Sequence, residues 1–328
     1  MASSSRRSLY FDNAKFFLIF LVVFGHVISP LKGDDDFLFS LYSVIFLFHM
    51  PAFILISGYF SKGFNKKGYF FKTVKKILLP YLIFQVIYSI FYFLNGQEST
   101  LKIDLLQPHW TLWFLLSLFC WNLLLHIFAR LKWLGLVIAA AIGIGIGYFD
   151  HVGSYLSLSR TFVFFPYFLL GFLLEQKNFK LVKKIKHSTV IGSVVLLSTM
   201  ILIGTLFPKD AIPWLLGDTS YAHMGSKEIT DGFIRFSQYV VTIIVIYGFL
   251  AIVPIQGFKM TLIGQRTLYV YLLHGFIIKT IQTIVSDDEL NTFSDHYLTL
   301  TAFSLGLCML LGNYLIQKYT RPLIELRL

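Results

Sequence analysis

Hydrophobic positions along this chain come in long runs, and polar positions come in short breaks between them. The runs are about 17–25 residues long, the reach a helix needs to cross a bilayer. A chain crossing lipid must satisfy its own backbone hydrogen bonds, so such runs predict helices. The pattern predicts an all-α polytopic membrane protein with about ten transmembrane helices. They fall near 10–30, 37–60, 77–94, 110–128, 133–149, 161–174, 188–207, 233–253, 262–285 and 296–317. No linker rich in Pro, Gly or Ser is long enough to join a second unit. The expectation is therefore one domain over residues 1–328, with no appended extracytoplasmic domain.

Composition agrees with the pattern. Hydrophobic residues make up 56% of the chain and charged residues 14%, and the mean hydropathy is +0.70. A soluble chain has nowhere to bury that much apolar surface. Charge adds the orientation. With the N-terminus in the cytoplasm and the spans alternating, most of the 28 Lys and Arg fall on the cytoplasmic side. That is the positive-inside asymmetry, and it predicts that both termini are cytoplasmic. Arg6 and Arg7 precede the first run as in a signal peptide, but no small-residue cleavage site follows Val27. The run therefore reads as an uncleaved first helix of a multi-pass protein of the cell membrane.

The net charge of +11 reads first as orientation plus attraction to anionic membrane lipids. A sharper reading attaches to "KGFNKKGYFFKTVKK", residues 62–76, a cluster suited to a polyanionic ligand. The outer loops are acidic at "GDDD" (33–36) and "SDDELNTFSD" (286–295). The longest outer loop, about 208–232, carries Trp214, Tyr221 and His223 and reads chiefly as an interfacial aromatic belt. Gly143 and Gly147, four apart, predict a close helix–helix face. No nucleic-acid partner is expected, and a homo-oligomer is left open. Cys120 and Cys308 both lie in apolar runs and read as small buried hydrophobes. No Cys/His spacing resembles a zinc motif, and no metal is expected.

Ionisable groups inside spans are costly and so draw attention. The first run holds Asp12, Lys15 and His26. Lys15 and His26 lie within about 20° of one helix face and about 16 Å apart along the axis. Asp12 and Lys15 are neighbours on that face. Between them runs an apolar strip of Leu18, Ile19 and Val22. His49 sits near the middle of the second run, followed by Pro51, Ser57 and Gly58, and His274 lies near the middle of the ninth. His109, Trp110, Trp113, Asn122 and Arg160 are further candidates on or near the fourth and sixth runs. For His26 three readings stand side by side: a packed, hydrogen-bonded passenger, a metal ligand, or a group that moves protons.

Six stretches together resemble the acyltransferase-3 family of integral membrane acyltransferases, in particular its fucose 4-O-acetylase-like branch. In order they are "YFDNAKFFLIFLVVFGHV" (10–27), "FHMPAFILISGYF" (48–60), "KKILLPY" (75–81), "WFLLSL" (113–118), "RTFVFFPYFLLGFLL" (160–174) and "YVYLLHGF" (269–276). The family has an arginine ahead of the first-helix histidine; here Lys15 takes that place. Lysine keeps the charge and loses the rigid bidentate fork. Lys72, Lys75 and Lys76 stand where the family tends to have an arginine pair. The resemblance implies an acyl-CoA-dependent O-acyltransferase, with acetyl-CoA as the usual donor. The acceptor is a hydroxyl of a cell-surface glycan or lipid-linked sugar precursor.

On that reading His26 is the general base, with a covalent acyl-histidine as a less favoured variant. Lys15, oriented by Asp12, or else Arg160, stabilises the oxyanion. Lys72, Lys75 and Lys76 bind the phosphates of the donor. His49, Ser57, Trp113, Arg160 and His274 bind the acceptor or relay protons. The rival class is a transporter or flippase of glycan or lipid intermediates, which membrane histidines serve equally well. A weaker third reading is a non-catalytic scaffold.

Overall fold

The protein is described from a computed structural model, which covers residues 8–33, 35–153 and 155–326. The side chains of Asp287 and Asp288 are outside the description. Arg6, Arg7 and Arg327 of the charge pattern, and Asp34 of the first acidic loop, also lie outside the described residues.

The described residues form helices joined by turns and loops, as the apolar runs predict. We label the longer ones α1 (Leu9–Ile28), α2 (Asp36–Phe60), α3 (Tyr69–Leu94, including one π turn), α4 (Trp113–Gly145) and α5 (Leu158–Leu173). They continue as α6 (Ser188–Leu206), α7 (Ile229–Ile252), α8 (Thr267–Ile284), α9 (Tyr297–Leu311) and α10 (Tyr314–Ile324). Seven helices among the described residues are long and apolar enough to cross a membrane, or eight if the bent pair α9–α10 is one span.

The sequence pattern predicts a larger number, and the difference has local causes. The expected fourth and fifth spans are the two arms of α4, which folds back at Lys132 (φ 50°) and counts as one apolar stretch: Trp121 on the first arm donates to the Thr161 carbonyl, and Gly143 on the second packs on the Phe162 carbonyl. The break falls where Arg130 and Lys132 interrupt the apolar run. The expected ninth span is the 18-residue α8, which carries His274, Lys279 and Gln282 and is not among the seven. The expected tenth span bends by 63° between α9 and α10.

Helices α2 and α1 are the most buried of the seven, at 78% and 67%, whereas α6 is only 11% buried. An apolar helix that is exposed all round suits a lipid-facing place at the periphery. Helices α2 and α5 cross closely because each offers a glycine to the other. A Cβ at Gly58 would overlap the Phe168 carbonyl, and one at Gly171 would overlap the Leu55 carbonyl. Gly143 sits against the Tyr239 hydroxyl of α7 and the Phe162 carbonyl of α5, a close helix contact as predicted, whereas Gly147 packs on the ring of the loop residue Tyr221. Pro51 lies inside α2 and Pro166 inside α5, on the helices that line the site described next.

Candidate active site

Four helices change what they present within about one turn. On α1, Val22 is followed one turn later by His26. On α2, His49 gives way to Met50, then Phe53 and Ser57. On α4, Trp113 gives way to Phe114 and Leu118. On α8, running the other way, Thr267 and Leu268 lead to Tyr271. These residues line two adjoining cavities. One has a volume of about 200 Å3 and is edged by His26, His49, Tyr42, Trp113 and Arg160. The other, about 190 Å3, is edged by Phe53, Phe114, Leu115, Leu118, Ser57 and Lys76. Val22, Met50 and Tyr271 belong to both and form the neck between them.

His26 is half-buried in the first chamber. Its ring centre lies 4.4 Å from Trp110, 5.6 Å from His274 and 5.9 Å from Phe46. Trp110 holds a left-handed backbone, φ 33°, an unfavourable conformation for an aromatic residue. Such strain persists only where surrounding packing enforces it, often at functional sites. The Tyr271 hydroxyl, at the neck, donates to the Thr111 carbonyl one residue further on.

The three membrane histidines differ in how their rings are held. The Nδ1 of His49 bonds the Ile45 carbonyl at 2.6 Å, and the Nδ1 of His274 bonds the Val270 carbonyl at 3.0 Å. A carbonyl only accepts, so Nδ1 carries the hydrogen in each and the neutral ring leaves Nε2 as an acceptor. His274 is fully buried behind His26, and its Nε2 has no partner among the described residues. Neither ring nitrogen of His26 is tied down by a hydrogen bond among the described residues, and the ring edges the cavity.

Arg160, on the first turn of α5, reaches the same chamber. Its Nη2 donates to Asp218 Oδ2 at 2.5 Å and its Nε to the Leu216 carbonyl at 3.3 Å. The guanidinium lies 5.1 Å from the Trp113 ring centre. Asp218 gets there through Gly217, which ends the short helix Ile212–Leu216 with φ 64°. Glycine takes that left-handed turn without strain. Ser159 pins the turn by donating to the Gly217 carbonyl at 2.9 Å. The long loop is thus more than an aromatic belt. Trp214 stacks on Tyr221 at 5.1 Å, Tyr221 is fully buried, and Leu215 and Leu216 line the His26 chamber.

The sequence-predicted residues divide accordingly. His26, His49, Trp113 and Arg160 meet in the first chamber, and Ser57 and Lys76 reach the second. Ser57 donates back to the Phe53 carbonyl at 2.9 Å. Lys76 and Lys75 ride on the π turn Val74–Leu78; Lys72 and Lys75 are exposed and line neither cavity. Lys15 lines neither cavity, and its Nζ pairs with Asp12 Oδ1 at 2.8 Å. Asp12 is buried and also accepts from Gln265 Nε2 at 3.2 Å. Of the predicted apolar strip, Leu18 and Ile19 are fully buried in the core, and Val22 alone reaches the cavities.

Tyr42, Met50 and Asp218 are site residues that sequence reasoning passes over. Tyr42, Phe46 and His49 follow helical spacing on α2, so a stripe carried that signal. Asp218 lies 58 positions from Arg160, and nothing local points to it. Among the described residues, no group of three or more His, Cys, Asp or Glu is placed to hold a metal ion.

Comparison with known proteins adds the family. The "Nodulation protein NolL" of Sinorhizobium fredii is 32% identical over 190 residues, covering 53% of this chain and 50% of that protein. Its namesake from Mesorhizobium japonicum is 30% identical over 187 residues, with the same coverage, 53% and 50%. The chain thus spans about half the length of the curated relatives it matches. No solved structure matches. A family model described as "Acyltransferase domain" matches residues 8–313, and the chain belongs to that acyltransferase-3 family of multi-pass membrane proteins.

Proposed function

We propose that the protein is a membrane O-acyltransferase, with His26 as general base, that moves an acyl group from cytoplasmic acyl-CoA to an acceptor hydroxyl. The observation that carries this is the pair of chambers meeting at Val22, Met50 and Tyr271, with His26 about one turn beyond the neck. The apolar chamber suits the long, largely uncharged arm of a thioester. Lys76 edges it and Lys72 and Lys75 lie nearby in sequence, which suits the phosphates of CoA. By positive-inside orientation this is the cytoplasmic side. The polar chamber suits a sugar, with hydrogen-bonding groups and the Trp113 ring around it.

In the reaction, His26 takes the proton of the acceptor hydroxyl as its oxygen bonds the thioester carbonyl carbon. The oxyanion formed is stabilised by the positive charge of Arg160, which edges the same chamber. The carbon–sulfur bond then breaks and the CoA thiolate takes the proton from His26. His49, its Nε2 an acceptor in the same chamber, orients the incoming hydroxyl. The Lys15–Asp12 pair lies outside both cavities and acts here as an anchor of α1. The fucose 4-O-acetylase-like resemblance favours acetyl as the acyl group and a sugar hydroxyl as acceptor.

The test is acyl incorporation from radiolabelled acetyl-CoA by the purified protein. His26→Ala and His26→Gln should each lose about 10²–10⁴-fold in rate. Wild-type rates in either variant would end the general-base assignment. A transporter or flippase would give neither acylated product nor CoA release.

A further inference from the structure

A third cavity opens on the membrane side of the bundle. Helices α6 and α7 touch where Gly192 meets the Gly248 carbonyl and Gly248 meets Val195. Small residues let the backbones approach there. Toward the other end of α6 the pair separates, leaving a groove of about 570 Å3. Its sides are Leu202 and Leu206 from α6 and Ile234 and Val241 from α7, which are 56%, 74%, 49% and 43% exposed. Ser237 and Gln238 add polar groups to the wall. Gln238 Nε2 donates to the Trp214 carbonyl at 3.0 Å, and buried Arg235 Nη1 donates to that carbonyl at 2.7 Å and to Gln238 Oε1 at 2.6 Å. The loop end of the groove is therefore held in place.

The floor of this groove abuts the site. Leu215 lines both the groove and the His26 chamber, so one side chain separates them. An apolar groove between membrane-spanning helices admits hydrocarbon, and the chamber beyond Leu215 admits polar groups. We propose that the α6–α7 groove binds the hydrocarbon anchor of a lipid-linked acceptor, whose sugar enters the His26 chamber sideways past Leu215. The inference rests on the acyl-transfer reading for what happens in the chamber; the groove itself binds the anchor whether or not transfer follows.

The experiment uses the full chain in phosphatidylcholine vesicles and a hexadecyl glucoside bearing a diazirine in its alkyl chain. Photolabelling should map to peptides holding Leu202, Leu206, Ile234 or Val241. Plain hexadecyl glucoside should compete, whereas hexadecyl phosphocholine should not. Leu202→Trp, which fills the groove, should lower labelling about fivefold or more. Labelling elsewhere, or no loss in a folded Leu202→Trp or Val241→Trp protein, overturns the proposal. Equal competition by the phosphocholine lipid assigns the groove to bulk lipid and overturns it. A disulfide-linked dimer of Leu202→Cys assigns it to a second copy and overturns it. Radiolabelled acetyl-CoA turnover, measured on the same vesicles, reports separately. Turnover without groove labelling sinks this inference alone, and groove labelling without turnover sinks the acyl-transfer reading alone.

Discussion

On one side of Val22 the cavity is edged by His26, His49, Arg160 and Tyr42; on the other by Phe53, Phe114, Leu115 and Leu118, with Ser57, Lys76 and Thr267 as polar exceptions. Helices α1, α2, α4 and α8 contribute to both chambers; α5 adds Arg160 to the first and α3 adds Lys76 to the second. Over about one turn, His26 on α1 gives way to Val22, and His49 on α2 gives way to Met50 and Phe53. Charge developing in a site of low dielectric is strongly stabilised by a fixed opposite charge. A neutral thioester arm needs only a dry channel. On the proposed reading, the contrast separates the place where charge would form from the path by which the acyl group would arrive.

Losing the polar side should have the largest effect. His26→Gln keeps size and hydrogen bonding but cannot take the proton, and should lower the transfer rate about 10²–10⁴-fold with little change in acyl-CoA KM. Arg160→Ala should follow, with a loss of about 10²–10³-fold in kcat. Arg160→Lys should recover part of it, since a point charge remains while the Asp218 and Leu216 contacts are reshaped. Both are read by steady-state kinetics on purified protein.

Effects on the dry side should be smaller and fall on KM. Val22→Phe narrows the neck and should raise acyl-CoA KM roughly tenfold while sparing acceptor binding. Lys76→Gln should raise it about two- to fivefold, as expected for one exposed ion pair. That difference should shrink in high salt, because exposed charges are screened. Lys72→Gln and Lys75→Gln, which line neither cavity, should each change KM less than Lys76→Gln. A larger effect at Lys72 or Lys75 would move the phosphate contacts away from the chamber mouth.

Much of this was legible in the chain, for definite reasons. Apolar runs mark membrane helices strongly, so α1, α2 and α5 to α7 follow the predicted spans closely. His26, His49 and Arg160 stand out because charged or titratable groups are rare in such runs. Spacing on one helix was a weaker guide. Lys15 and His26 share a face of α1, yet bundle packing buries Leu18 and Ile19 between them, and Lys15 ends on Asp12. Helical arithmetic fixes direction about an axis and says nothing of what lies opposite. Asp218 was illegible for the same reason: its contact with Arg160 depends on how the 212–218 turn folds back, not on any local pattern. The break at Lys132 falls where Arg130 and Lys132 interrupt the apolar run, so the boundary between the fourth and fifth predicted spans was legible in the chain.

On the proposed reading, the acyl donor reaches the neck from the Lys76 side. Val22→Cys, placed in a chain carrying Cys120→Ser and Cys308→Ala, puts one thiol at the wall shared by both chambers. Bromoacetyl-CoA should alkylate that thiol, acetyl-CoA should protect it, and bromoacetate without CoA should react far more slowly. Alkylation that acetyl-CoA fails to block, or no alkylation of a folded protein, would contradict the claim.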